Sequence, residues 1–194
     1  AQPWNAASID RVGLQLYTVR AAMGKDVPGT LQAVAKLGYR EVEFAGYFRN
    51  SPADIRRLLD DNGLTSPSTH LGLDDVRARF DAVAETAHVV GHHYLTVASL
   101  DMRNIRTLDD WKKVADTFNE AGRSAKGAGL RFAYHNHASE FAPLDGRIPM
   151  DVLIAGTDPS LVTFEMNLVW VRKAGYDPRT YFARFPGRFE LVPV

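Results

Sequence analysis

Residues 134–141, Tyr-His-Asn-His-Ala-Ser-Glu-Phe, hold the densest group of side chains that can do chemistry. In an extended chain His135 and His137 point to the same side, and Glu140 can return to that side on a following turn. Two imidazoles and a carboxylate at a strand's mouth suit a divalent metal or a general acid/base with an orienting partner. We predict His135 and Glu140 as metal ligands and His137 as a catalytic group; the alternative is two histidines hydrogen-bonded in a loop.

A second group lies in residues 164–170, Phe-Glu-Met-Asn-Leu-Val-Trp. Glu165 and Asn167 fall on one face of a strand end because strand side chains alternate. Trp170 offers an apolar floor for a sugar ring. We predict Glu165 as catalytic and Asn167 and Trp170 as substrate-binding; the alternatives are a structural ion pair and an ordinary core tryptophan.

Two more ionisable residues, His70 and Glu43, stand at the ends of apolar runs. Glu43 points away from its apolar neighbours, and a buried carboxylate of that kind needs a partner. Both are predicted as catalytic, against the alternatives of a structural hydrogen-bonding histidine and a salt bridge to an arginine. Tyr17, just after the first apolar run, is predicted to contact the substrate. The other three histidines, His88, His92 and His93, are predicted to be structural.

Strand and helix patterns alternate along the chain and must position these residues. The predicted strands cover residues 12–17, 42–44, 64–70, 92–98, 130–135, 161–165 and 188–194. The helical patterns between them cover residues 27–37, 52–63, 76–90, 111–129 and 150–155, and one that opens at 177. Strict alternation indicates a parallel sheet with right-handed crossovers.

The alternation fits a doubly wound sheet or a barrel, and two observations favour the barrel. No glycine-rich phosphate loop follows the first strand, where residues 17–20 stand instead, and polar residues follow nearly every strand. A complete barrel takes ~250 residues. We therefore predict an α/β fold, an incomplete (β/α) TIM-type barrel with six to seven of its eight βα units. Residues 1–194 form one domain lacking the last one to two units.

The amino-acid composition limits the classes of partner that the chain is expected to bind. Lys plus Arg and Asp plus Glu are equal at 23 each, so the chain lacks the basic excess that nucleic acid binding needs. No apolar run approaches the ~18 residues of a membrane span, which argues against a membrane partner. Residues 1–8 are small and polar, which fits a mature end left after export as well as a trimmed start. The compartment stays open between cytoplasmic and periplasmic.

Four stretches together resemble the xylose-isomerase-like TIM-barrel superfamily, often called sugar phosphate isomerases/epimerases. They are residues 12–20 (Val-Gly-Leu-Gln-Leu-Tyr-Thr-Val-Arg), 38–46 (Gly-Tyr-Arg-Glu-Val-Glu-Phe-Ala-Gly), 134–141 and 170–188. The resemblance implies a divalent metal, typically Mn, Mg, Zn or Co, held by strands five to eight. It also implies a carboxylate or histidine that moves a proton or hydride beside the carbonyl of a small-molecule sugar. Some similar proteins act on 3-keto-glycosides by lyase or hydrolase chemistry.

The sequence departs from that pattern in three places. Asn167 stands where the family has an aspartate ligand, Pro193 stands where it has a histidine, and the eighth strand's acidic ligand is absent. The fifth-strand ligand position remains, through His135, His137 or Glu140. Two interpretations follow: a sugar isomerase/epimerase-like enzyme that needs residues from outside this sequence or from a second copy, or a sugar-binding or inactive relative. The open sheet edges also predict a homo-oligomer.

Overall fold

The computed structural model describes residues 12–193, which contain one sheet of seven parallel strands in chain order. The strands are Gly13–Gln15 (β1), Glu41–Phe44 (β2), Thr65–Leu71 (β3), Tyr94–Val97 (β4), Arg131–His135 (β5), Val162–Glu165 (β6) and Phe189–Leu191 (β7). The helices are Arg20–Met23 (α1), Val27–Lys36 (α2), Pro52–Asp61 (α3), Leu73–Ala78 (α4), Phe80–Val90 (α5), Leu108–Gly127 (α6), Pro149–Gly156 (α7), Leu168–Lys173 (α8) and Pro178–Arg184 (α9). The predicted lead-in, residues 1–8, and Val194 of the predicted seventh strand lie outside the described residues.

The sheet curls into an incomplete (β/α) barrel, as predicted. Each strand pairs with the next one along the chain, and within residues 12–193 β1 and β7 are not paired with each other. Strands β3 and β6 would lie ~14 Å apart in a flat sheet. Yet His70 at the end of β3 lies 3.0 Å from Glu165 at the end of β6. Curling therefore brings the carboxyl ends of distant strands to one place.

Helix α6 anchors the strand that carries the densest motif. Thr107 and Asp110 form a capping box at its N-terminus, which satisfies backbone N–H groups that the helix leaves free. Phe118, on the buried face of α6, packs against Phe132 and Tyr134 of β5 at ring distances of 5.2 and 4.9 Å. This apolar contact fixes β5, and with it the position of His135.

Three local predictions differ from the structure. The first strand ends at Gln15, because its side chain accepts a hydrogen bond from the Tyr17 N–H and opens a 3₁₀ turn, Leu16–Val19. The predicted helix over residues 76–90 is divided at Arg79, whose backbone (φ −136°, ψ 35°) separates α4 from α5. Asn167 does not extend the sixth strand but caps helix α8, which the sequence did not predict.

No helix among residues 12–193 is long and apolar enough to cross a membrane.

Candidate active site

An open cleft of about 810 Å³ lies over the carboxyl ends of the strands, where barrels of this type keep their sites. Its volume falls in the range of small-molecule sites. Most of the residues predicted for the site line it. They are Tyr17, His70, His135, His137, Asn167 and Trp170, joined by Gln15, Thr18, Tyr47, Thr69, Asp75, Ser99 and Pro193.

A histidine between two carboxylates forms the floor of the cleft. His70 Nε2 lies 3.0 Å from Glu165 Oε2 and 3.2 Å from Glu43 Oε2. The three side chains come from β3, β6 and β2, and all are nearly removed from solvent, with exposed side-chain fractions of 9, 3 and 12%. The structure thus brings together three of the four residues predicted as catalytic.

The two carboxylates have opposite proton preferences. Burial raises the pKa of Glu43, and the nearby charge of Glu165 adds to the rise. Burial also acts to raise the pKa of Glu165, but the neighbouring His135 and His70 imidazoles outweigh it and lower that pKa. Two neighbouring carboxylates whose pKa values are shifted in opposite directions commonly have separate roles, one as an acid or base and the other as a fixed charge.

His135 and His137 lie on the β5 side of the same floor. His135 Nδ1 is 3.3 Å from Glu165 Oε2, at an angle too poor for a hydrogen bond, so this buried nitrogen has no partner. The His137 ring lies 5.1 Å from that of His135 and 5.5 Å from that of Trp170. Burial lowers the pKa of His137, which favours a neutral imidazole. Trp170 and the two imidazoles together form a continuous ring-lined wall.

The donor set fits a divalent cation. Ligand atoms of His70, His135 and Glu165 lie within 4.8 Å of one another. The buried His135 Nδ1 and Glu43 Oε1 both lack hydrogen-bond partners, and such atoms need a ligand or an ion to satisfy them. Imidazole nitrogen with carboxylate oxygen is a ligand set for zinc and similar metals.

Glu140, the other predicted metal ligand, is placed elsewhere. Its carboxylate is buried and accepts hydrogen bonds from the Tyr134 hydroxyl at 2.5 Å, the His137 N–H at 2.9 Å and the Ser139 hydroxyl at 3.0 Å. Glu140 lies on the 3₁₀ turn Ser139–Phe141 and is not among the residues that line the cleft. Its position is that of a side chain supporting the loop that carries His137.

Asn167 and Tyr17 occupy the rim. Asn167 Oδ1 accepts the Trp170 N–H at 3.1 Å, and its Nδ2 lies 3.5 Å from His135 Nε2. The Tyr17 ring is 56% exposed and stacks under the Arg20 guanidinium at 4.3 Å. Both residues face the space that a substrate would enter.

Gln15 also belongs to the site, although its sequence pattern alone did not predict this. Its Nε2 lies 3.1 Å from His70 Nδ1, on the side of the ring opposite the carboxylates. It is the polar residue between Leu14 and Leu16, so its place in an alternating strand was the signal available.

Residues 31–158 match the xylose isomerase-like TIM barrel family, about two thirds of the chain. This chain belongs to that family. The resemblance predicted from the strand motifs is therefore confirmed.

Individual relatives agree with the family assignment. A sugar phosphate isomerase/epimerase from Parabacteroides distasonis is 27% identical, with a TM-score of 0.84 over 97% of this chain and 76% of its own. Inosose dehydratase 2 from Bacillus cereus is 25% identical over 120 residues. That match covers 62% of this chain but only 39% of the dehydratase. An IolI protein with a bound zinc atom shares the fold, with a TM-score of 0.75 at 12% identity over 94% of this chain and 71% of its own.

Proposed function

We propose that the cleft binds a sugar or a sugar derivative and moves a proton on the carbon beside its carbonyl, as a sugar isomerase or epimerase does. The observation that carries this proposal is the contact of His70 with two carboxylates of opposite proton preference. Removal of such a proton is a common first step in the isomerisation, epimerisation and dehydration of keto sugars. The names of the relatives fit this common step.

In this proposal Glu43 is the base. Its raised pKa brings it nearer to the pH at which an enzyme works, where a carboxylate is a better proton acceptor. Glu165 stays ionised and holds His70 and His135 in place. His70 exchanges the proton with Glu43 across the 3.2 Å contact, and neutral His137 is placed to hydrogen-bond a substrate oxygen.

A divalent metal would be held at His135 and Glu165, where the unpartnered His135 Nδ1 lies beside the ionised carboxylate. Such a metal polarises a carbonyl as a Lewis acid when it is bound. The zinc of the IolI protein supports a site of this kind within the fold. An imidazole nitrogen beside a carboxylate favours zinc over magnesium, which prefers oxygen ligands alone.

The cleft favours a neutral substrate. Trp170 and Tyr17 supply ring faces for the apolar side of a sugar, while Asn167, Thr69 and Ser99 supply polar groups for hydroxyls. Along the described lining and floor, the acidic groups are Asp75, Glu43 and Glu165. A phosphate placed among them would meet like charge, which disfavours its binding. We therefore propose free keto sugars, keto-cyclitols and 3-keto-glycosides as the substrate class.

Asn167 supports a second candidate, a non-catalytic sugar-binding protein. Its amide oxygen is used to cap α8, and its NH₂ group faces His135, so no carboxylate ligand stands at this position. A neutral amide is a weaker ligand for a hard cation than a carboxylate. In this alternative the same cleft binds a sugar without moving its protons.

Deuterium exchange separates the two candidates. The protein is incubated in D₂O with a panel of keto sugars, keto-cyclitols and 3-keto-glycosides, with and without Mn²⁺ or Zn²⁺, and loss of the proton beside the carbonyl is followed by ¹H NMR. We expect exchange with at least one substrate, and Glu43→Gln should lower its rate by ~100-fold or more. Glu190→Gln is the control, because Glu190 pairs with Arg131 at the opposite end of the strands. Binding without exchange across the panel would instead favour the sugar-binding protein.

A further inference from the structure

A side groove of about 420 Å³ opens next to the cleft. It is lined by α4, by the chain between β4 and α6, and by α6 itself. Gly72 and Ser99 line both the groove and the cleft, so the two spaces meet at these residues. Gly72 follows His70 by two residues, which puts their Cα atoms within ~7 Å of each other. The side groove therefore begins beside the acid/base residues of the cleft floor.

The floor of the side groove is aliphatic. Four half-buried side chains form it, and they are Leu73, Leu100, Ile105 and Val114. Each packs against the main apolar core of the chain, and none of the described residues that line the groove is aromatic. Apolar surface of this kind gains free energy when a ligand removes it from water. Because the groove lacks the ring faces that the cleft offers to a sugar, it suits an apolar group better than a second sugar.

The charged groups around the side groove balance one another. They are two acidic and two basic side chains, Asp74, Asp101, Arg77 and Lys113. Asp101 pairs with Arg103 at 2.6 Å. Lys113 pairs with Asp110 at 3.2 Å. Equal charges of both signs give no net attraction to an anion or a cation, so the groove favours an uncharged group.

Gly72 leaves the passage between the two spaces free of a side chain. Its backbone (φ −78°, ψ 147°) has a conformation that any residue adopts, so the turn does not require glycine. Among the described residues, an added methyl group would approach only the Asp75 carboxylate, at 3.3 Å. A serine or aspartate here would also cap helix α4, which begins without a side-chain cap. The protein forgoes that cap, and the passage stays wide.

We propose that the side groove holds an apolar aglycone. The substrate is then a glycoside whose sugar lies over His70 and whose aglycone passes Gly72 into the groove. This inference rests on the proposed function, because it takes the cleft as the sugar site. Within the substrate class given above it selects glycosides over free keto sugars and keto-cyclitols, which have no second group to fill the groove.

Glucosides without a carbonyl test the groove independently of any reaction. Phenyl β-glucoside and methyl β-glucoside are titrated into the ¹⁵N-labelled protein, and the backbone amide shifts are followed by NMR. We expect the phenyl glucoside to bind ~10-fold more tightly, because filling an apolar pocket has an effect of this size. The amides of Leu100 and Ile105 should shift with the phenyl glucoside alone. Equal affinities, or a disaccharide such as cellobiose binding more tightly than the phenyl glucoside, would overturn the assignment.

Two variants test the location of the aglycone. Ile105→Ser removes part of the apolar floor, so it should weaken binding of the phenyl glucoside by ~10-fold and leave the methyl glucoside unchanged. Gly72→Leu places a side chain in the passage and should also abolish the preference for the phenyl glucoside. Val89→Ser is the control, since Val89 is an exposed apolar residue of α5 away from the groove. A preference that survives in both groove variants would contradict the proposal.

The groove and the reaction fail separately. Tight binding of phenyl β-glucoside by a protein that exchanges no proton on any keto compound would keep the groove and reject the reaction. Proton exchange on a free keto sugar, with the phenyl and methyl glucosides bound equally, would keep the reaction and reject the groove.

Discussion

Among single residues, His135 is the one that most clearly lacks an interaction partner. Its Nδ1 is buried without a hydrogen-bond partner, 3.3 Å from the ionised carboxylate of Glu165. Glu140, which the sequence groups with it, has three hydrogen-bond donors of its own, one from β5 and two from the loop. The two residues predicted as metal ligands should therefore contribute differently to the binding of an added metal.

Metal titration by calorimetry should separate them. We expect His135→Ala to lower the affinity of the chelator-treated protein for Zn²⁺ by tenfold or more, because it removes a direct ligand. Glu140→Gln should keep stoichiometric binding with a smaller loss of affinity, because it changes only the loop beneath His137. Equal losses in the two variants would show that Glu140 leaves its hydrogen bonds and binds the metal.

His92 is a buried residue whose effect is on stability. Its ring is held between the Ser66 carbonyl, 2.7 Å from Nδ1, and the Tyr47 hydroxyl, 2.9 Å from Nε2. Burial lowers the pKa of His92 to about 4 from an ordinary value of 6.5. Because the folded pKa is the lower one, the unfolded chain takes up a proton between pH 6.5 and 4 that the folded chain does not. Stability from this residue is complete above pH 6.5 and falls as the pH drops toward 4.

Urea unfolding at pH 7 and pH 4.5 measures this effect. We expect His92 to account for a loss of up to ~3 kcal/mol in the free energy of unfolding across that interval. His92→Asn, which can still donate to Ser66, should make the pH dependence shallower. His93→Gln, at the exposed neighbouring position, should leave the dependence unchanged. The same slope in both variants would rule out His92 as the cause.

At the scale of elements, α6 approaches β6 at a glycine. A methyl group at Gly122 would come within 2.6 Å of the Leu161 backbone oxygen, so the helix lies this close only because the side chain is absent. The contact helps to place α6 against the chain that leads into β6, where Glu165 stands.

Substitution by alanine tests the close approach against a control in the same helix. Gly122→Ala should lower the free energy of unfolding by ~1–3 kcal/mol, since a backbone oxygen cannot move aside without shifting its strand. Gly127→Ala, where no atom lies within 4 Å of the added methyl group, should be neutral or stabilising by less than ~1 kcal/mol. Thermal unfolding followed by circular dichroism gives both values, and a neutral Gly122→Ala would contradict the packing described.

The elements also show what the sequence can and cannot predict. The alternation of strand and helix patterns predicts the strands and their parallel order. Each helix covers the sheet and returns the chain to the start of the next strand, so that successive strands run in the same direction. The turn at Ser139–Phe141 and the helix α8 escape prediction, because each depends on local hydrogen bonds such as those of Glu140 and Asn167. The sequence therefore places Glu140 and Asn167 near the site but does not give their orientation.

For the whole molecule, curling is what assembles the site. Glu43, His70 and Glu165 are each visible in the sequence as polar residues at strand ends, but their contact depends on β3 meeting β6 across the barrel. Each side chain alone permits a structural explanation, and only their distances favour a chemical one. This long-range geometry is the part of the site that local patterns do not contain.

The edges of the sheet carry exposed apolar residues. Val12 beside β1 and Val192 beside β7 have exposed fractions of 60 and 44%. We propose that a second copy of the chain covers these edges, since unpaired strand edges favour association. Light scattering should show a dimer or larger species at micromolar concentration. Val12→Lys should weaken the association, whereas Leu37→Lys, on α2's exposed end, should not; a monomer at all concentrations would contradict the proposal.

In the proposed reaction Glu43 and His70 act as one proton-transfer unit. Deuterium exchange on the best substrate of the panel, measured for Glu43→Gln, His70→Asn and the double variant, tests it most directly. Substitutions of residues that act as a unit have strongly non-additive effects, so we expect the exchange rate of the double variant to fall by no more than about the larger of the two single losses. Losses that multiply, or single variants that exchange at the wild-type rate, would contradict it.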